Sequence, residues 1–136
     1  MRARIWLVLG TAIFGGCASG PGCGTFGAAG DIRFAKTVTT PNLCQVTATY
    51  TNRENSPAHV QLRVLASDSA GHTVTEQPLL FSSMQPGESK TTEIVDAHIC
   101  DVTSVSVPLA EKMADHLSLF PGTPICGVAG TRAQLQ

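Results

Sequence analysis

The sequence predicts an all-β fold: a small antiparallel β-sandwich of about six strands, with one short helix near its C-terminal end. Three observations predict it. Apolar and polar residues alternate at period two through the middle of the chain. Turn residues punctuate those stretches roughly every 8–12 residues. Beyond the first segment, four cysteines remain, an even set that suits a disulfide-braced extracellular domain.

The strands can be justified in order. Asp31 to Thr40 (DIRFAKTVTT) makes the first. In LCQVTATYT, Cys44, Val46, Ala48 and Tyr50 share one face, and Gln45, Thr47, Thr49 and Thr51 share the other. That is the pattern of a half-buried strand. NRENSP is a turn. AHVQLRVLAS then sets Val60, Leu62, Val64 and Ala66 against Gln61 and Arg63. Asp68 and Gly71 supply the chemistry of a hairpin connection. His72 to Phe81 follows, with Pro78 suited to an edge strand. Pro86 and Gly87 occupy the central positions of a type II turn. Ser89 to Val95 and Asp101 to Val107 complete the set.

PLAEKMADHLSLF differs. Pro108 suits a first helical position. Leu109, Met113, Leu117 and Phe120 recur every three or four residues, so a helix is expected over 109–119, ending before Pro121 and Gly122. The domain is expected over 31–126, and GVAGTRAQLQ (127–136) is expected to fray.

The front of the chain carries a different signal. Arg2 and Arg4 precede the apolar run Ile5 to Phe14. That run is shorter than the roughly 20 residues needed to span a bilayer and matches a secretory signal peptide over 1–16. Phe14-Gly15-Gly16-Cys17 resembles a bacterial lipobox, in which Leu usually stands where this chain has Phe14. The resemblance implies a diacylglycerol on Cys17 and a third acyl chain, palmitate or similar, on its new amino group. Three chains suffice for stable anchoring, at about 0.8 kcal/mol per buried methylene. Ala18, next to the lipidated cysteine, resembles outer-membrane sorting. The implied location is the bacterial cell envelope, facing the periplasm or the surface. Residues 17–30, rich in Gly, Ala and Ser, form the expected tether.

Five cysteines are an odd number, and lipidation of Cys17 removes one. Cys23, Cys44, Cys100 and Cys126 allow three pairings. In an up-and-down trace, strands two and six run in the same direction. Cys44 begins strand two and Cys100 immediately precedes strand six, so both lie at one end. The expected bridges are Cys44–Cys100 and Cys23–Cys126. No C-x-x-C pair suggests a redox motif or a zinc ribbon.

Cleavage before Cys17 leaves 120 residues, Cys17 to Gln136, enough for one domain with a core. It also removes two arginines, taking the formal charge from −1 to −3. A mildly acidic chain without a basic cluster argues against nucleic acid. The aromatic set that remains, Phe26, Phe34, Phe81, Phe120 and Tyr50, is too sparse for a sugar-stacking platform.

RVLASDSAGHTV and MQPGESKTTEI resemble FxLYD-type and related immunoglobulin-like domains of bacterial envelope lipoproteins. The likeness covers Cys44 to Val107 with margins. The namesake motif is not intact, with Leu65, Ala66, Ser67 and Asp68 standing nearest. The resemblance implies an immunoglobulin-like sandwich with an adhesive or scaffolding role, and it carries over no active site.

The residues suggest no catalytic set. None of His59, His72, His98 and His116 lies in H-E-x-x-H, and no nucleophile elbow, P-loop or dinucleotide fingerprint occurs. His59 and His72 are expected at exposed loop edges, and His116 late on the helix. Asp96, His98 and a Cys100 thiolate could begin a metal site, but a disulfide would remove the thiolate and leave fewer than the three or four ligands zinc needs. Glu76 and Glu93 are expected to be solvated strand-face charges. Leu79, Leu80 and Phe81 belong to the core or to an edge open to β-augmentation. The expected function is therefore non-enzymatic, with no cofactor: a lipid-anchored interaction or scaffolding module with an envelope protein partner. The alternatives are an accessory lipoprotein of a secretion or assembly machine, a small-ligand or metal carrier, and an enzyme with an unrecognised site.

Overall fold

The computed structural model describes residues 28–113 and 122–135. The signal peptide, Cys17, Cys23, His116, the 114–119 part of the expected helix and the side chain of Cys126 lie outside the described residues. The Cys23–Cys126 bridge therefore lies outside them too.

Eight strands are described: β1 (Ala28–Thr40), β2 (Leu43–Asn52), β3 (Ala58–Ser67), β4 (Thr73–Met84), β5 (Ser89–Ile94), β6 (Ser104–Met113), β7 (Thr123–Cys126) and β8 (Arg132–Gln134). A single 3-10 turn, Ile99–Asp101, precedes β6. One antiparallel sheet runs β1-β2-β5. The other runs β4-β3-β6, with β7 and β8 both on the far side of β6. This is the strand arrangement of an immunoglobulin-like sandwich. The two sheets touch through a parallel pairing of Ala28 and Ala29 with Ile125 and Cys126.

Alternation explains the core. Val46, Ala48 and Tyr50 point inward from β2, and Val60, Leu62, Val64 and Ala66 from β3. Phe81, Ile94, Val105 and Val107 meet them from the other strands. Tyr50 and Phe81 pack ring to ring across the sheets, with centroids 5.6 Å apart. Burial, with Glu54 and Asp31 nearby, pushes the Tyr50 hydroxyl well above its ordinary value of 10.0. Gly30 lies directly over that hydroxyl, and a Cβ there would overlap Tyr50 Oη.

The turns follow their sequences. Gly87, at φ +80°, completes a type II turn in which Glu88 N–H donates to the Gln85 carbonyl at 2.9 Å. Asp68 Oδ1 accepts from the amides of Ala70 and His72, at 3.0 and 2.9 Å. Asn52, fully buried, ties three segments together. Its amide donates to the carbonyls of Ser56 and Met84, and its Oδ1 accepts from Glu54 N–H.

Two expectations are corrected. Leu109–Met113 are not the start of a helix but the second half of β6. The Arg63–Leu109 and Leu65–Ser106 pairs differ by one residue in register, so β6 bulges at Val107-Pro108. Proline, which has no N–H to donate, is tolerated at a bulge. Leu109 and Met113 share a face in a strand as they would in a helix, because a spacing of four satisfies both periods. Residues 127–135 of the tail expected to fray are also built into the fold. Val128 is fully buried, Gly130 N–H donates to the Val107 carbonyl, and β8 pairs with Ser104–Ser106. β1, in addition, begins at Ala28, within the expected tether.

Candidate interaction surface

The strands run between two poles. β1 begins at one pole with Ala28, beside the 53–57 loop and the 85–88 turn. β1 ends at the other, beside the 67–73 hairpin and the 3-10 turn. At the first pole, Glu54 Oε2 accepts from Ala29 N–H at 2.7 Å and Oε1 accepts from Lys112 Nζ at 3.1 Å. The start of β1 is thus latched to the neighbouring loop and to β6.

The far pole carries the bridge expected from strand direction. Cys44 and Cys100 are disulfide-bonded, with Cα atoms 5.2 Å apart. Lys36, inward-facing on β1, reinforces the same turn. Its Nζ donates to the carbonyls of Cys100 at 2.9 Å and Val102 at 2.7 Å. Burial lowers the pKa of this ammonium from its ordinary 10.5, opposed in part by Asp101.

The bridge consumes the Cys100 thiolate, which settles its part in the Asp96–His98–Cys100 cluster. Asp96 Oδ2 accepts from His98 N–H at 2.8 Å and lies 4.0 Å from His98 Nδ1, an arrangement that shapes the loop. Among the described residues, no three His, Cys, Asp or Glu side chains converge as a metal group would require. His72 is exposed at its hairpin, 3.8 Å from Asp68. His59 is not an exposed loop-edge residue: it is half-buried in β3, and its Nδ1 accepts the Ser83 amide at 3.1 Å. Ser83 sits in a β4 bulge at φ 54°, so the imidazole meets an N–H that the bulge takes out of the ladder. Glu76 pairs with Arg63 at 3.4 Å, and Glu93 is exposed in register with Thr47.

The outer faces of the two sheets differ. On β1-β2-β5 the exposed rows are hydroxylated: Thr49 bonds Thr91 at 2.8 Å and Thr51 bonds Ser89 at 2.6 Å. The β4-β3-β6 face carries exposed Leu80 and Leu109 around the Arg63–Glu76 pair. Of the stretch that could be core or edge, Leu79 and Phe81 are core, and Leu80 is exposed on an edge strand.

No protein-family model, curated protein or solved structure matches the chain. Its own geometry therefore carries the functional reading.

The sandwich has two open corners. At one, β4 faces β5 without backbone pairing. Lys90 Nζ reaches the Ser82 carbonyl at 2.7 Å, and Gln77 Nε2 reaches the Val95 carbonyl at 3.2 Å. Five residues back along β4 correspond to five forward along β5, so side chains hold the two edges in one antiparallel register. At the other corner, the pairing of β1 with β7 among the described residues is through Ala28 and Ala29. Beyond that point β1 pairs with β2 alone, and β8, which continues the line of β7, pairs with β6 alone. Among the described residues β1 and β8 do not pair with each other, and Lys36 ties β1 to the turn that precedes β6.

The apolar side chains beside this second opening are only partly buried: Ile32 and Phe34 on β1, with Ala129 and Leu135 flanking β8. Arg33 on β1 and Arg132 on β8 are exposed. Among the described residues, neither guanidinium has an ion-pair or hydrogen-bond partner. Sequence alone could not find this groove, because it arises where residue 29 meets residue 126 and the strands then part.

Proposed function

We propose that the chain is a lipid-anchored protein of the bacterial envelope whose β-sandwich is a non-catalytic protein-interaction module. The observation that carries this reading is the Cys44–Cys100 disulfide within a two-sheet domain, a cross-link that persists in oxidising compartments. It agrees with the secretory character of residues 1–16 and with the lipobox resemblance at Cys17. The start of β1 at one pole supports a membrane-proximal end and a distal end about 40 Å away, from 13 strand residues at their usual rise.

Two measurements test it. Fractionation of a Cys17→Ser variant should move the folded domain from membranes to the soluble fraction. Retention in the membrane sinks the anchor. Site-specific photo-crosslinking in intact envelopes, with the probe placed in turn at Arg33, Thr49, Leu80 and Leu109, should give a discrete protein adduct from at least one face. No adduct from any position overturns the interaction module.

A further inference from the structure

We infer that the β1/β8 groove is a strand-acceptor site that takes an extended, acidic peptide segment of a partner protein. The inference rests on the reading of the domain as an interaction module and names the partner's chemistry.

Backbone comes first. From Ile32 to Val38, β1 has a ladder partner on one side only among the described residues, β2. Along its other side, alternate N–H and C=O groups have no main-chain partner among the described residues. Such an edge is a template for an added strand. The opposite corner does not offer one, because Lys90 and Gln77 already cap carbonyls across it.

Length and ends come next. The groove is closed at one end by the Ala29–Cys126 pairing and at the other by Lys36 on Cys100 and Val102. Six residues of β1, Gly30 to Ala35, lie between those closures, a span of about 23 Å at strand rise. That fits a segment of about six residues.

Side-chain chemistry selects the segment. A strand alternates its two faces. Inward positions would meet Ile32, Phe34 and Leu135, which are partly exposed and can bury more apolar surface. Outward positions would lie between Arg33 and Arg132, whose free guanidinium groups are suited to planar carboxylates. The nearby carboxylates do not neutralise them: Asp31 is held by Arg53 at 2.6 Å, and Asp101 lies toward Lys36. A segment alternating apolar and acidic residues meets both demands.

The test uses the folded, disulfide-bonded domain and a synthetic peptide of about eight residues alternating Val and Glu. The peptide is N-methylated on alternate residues, so that one edge pairs and self-association is blocked. The expected result is slowed amide exchange at alternate positions between Ile32 and Lys36, unchanged exchange along β5, and affinity about tenfold weaker in Arg33→Glu and in Arg132→Glu. Both arginines are exposed, so these variants keep the fold. The site is overturned if β1 amides gain no protection, or if a Val/Lys peptide protects them equally. Binding to anionic vesicles without protection of β1 amides also overturns it, because charge would then act without strand addition. Failure here with a crosslinked adduct persisting at Leu80 or Thr49 removes the groove and leaves the interaction module standing. Failure with no adduct at any face removes both.

Discussion

The two open corners of the sandwich solve the same problem differently. Where β4 meets β5, a type II turn joins the strands, and Lys90 and Gln77 carry side-chain donors across the gap. Where β1 meets β7, the strands are distant in sequence, and among the described residues their backbones pair only at Ala28 and Ala29. Neighbours in sequence can be stapled along their length by local side chains. Neighbours remote in sequence can also pair along their length, as β3 and β6 do, but among the described residues β1 and β7 pair at two residues and leave an edge beyond them.

The largest expected effect comes from cutting the disulfide at the far pole. Replacing both Cys44 and Cys100 with Ser should lower unfolding free energy by about 3 kcal/mol, checked by urea denaturation. A loss no greater than that of Lys90→Met would mean that the bridge braces the fold no more than that single side-chain bond does. Gly30→Ala should cost about 2 kcal/mol, because the new methyl forces Tyr50 from its site under β1. Exchange at Ala28 and Ala29 should rise more than at β5, which distinguishes local loosening of the β1 start from general destabilisation.

Alkaline pH sharpens the comparison. Tyr50 titrates above its ordinary value in the folded state, so the neutral phenol adds stability that is complete below pH 10.0 and is lost as pH rises beyond it. Denaturation midpoints followed upward from pH 9 should fall in the wild type and flatten in Tyr50→Phe, which keeps the ring against Phe81. A parallel decline in both proteins would assign the alkaline loss to other groups.

The β4/β5 corner should respond more mildly. Lys90→Met removes one partly buried hydrogen bond and should cost about 1 kcal/mol. Smallest of all, Thr49→Val on the hydroxylated face removes the exposed bond to Thr91 and should change stability by no more than about 0.5 kcal/mol.

Much of this frame was legible in the sequence because local rules governed it. Period-two alternation located Val46, Ala48 and Tyr50 inside, Pro86-Gly87 announced its turn, and strand direction brought Cys44 to Cys100. The errors have local causes as well. Leu109 and Met113 satisfy helix and strand spacing alike, and only the bulge at Pro108, set by pairing with β3, decides between them. Val128, Ala133 and Leu135 are too widely spaced among Gly, Thr and Gln to signal a strand, yet β6 supplies a ladder for Arg132–Gln134. His59 gained its role from a bulge in another strand. The groove was illegible for a stronger reason: no local pattern records where two distant strands begin to diverge.

The pairing of Ala28 with Ile125 also imposes an order in time. Hairpins such as β1-β2 and β3-β4 close short loops, whereas this contact closes nearly the whole described chain, and closure entropy grows with loop length. Contacts of such separation form slowly. The two sheets can therefore be largely assembled while the first and last strands are still apart. A chain emerging from N- to C-terminus reaches its completed form only after Ile125 and the strands beside it become available. The corner that stays partly open in the finished domain is also the last to be drawn together.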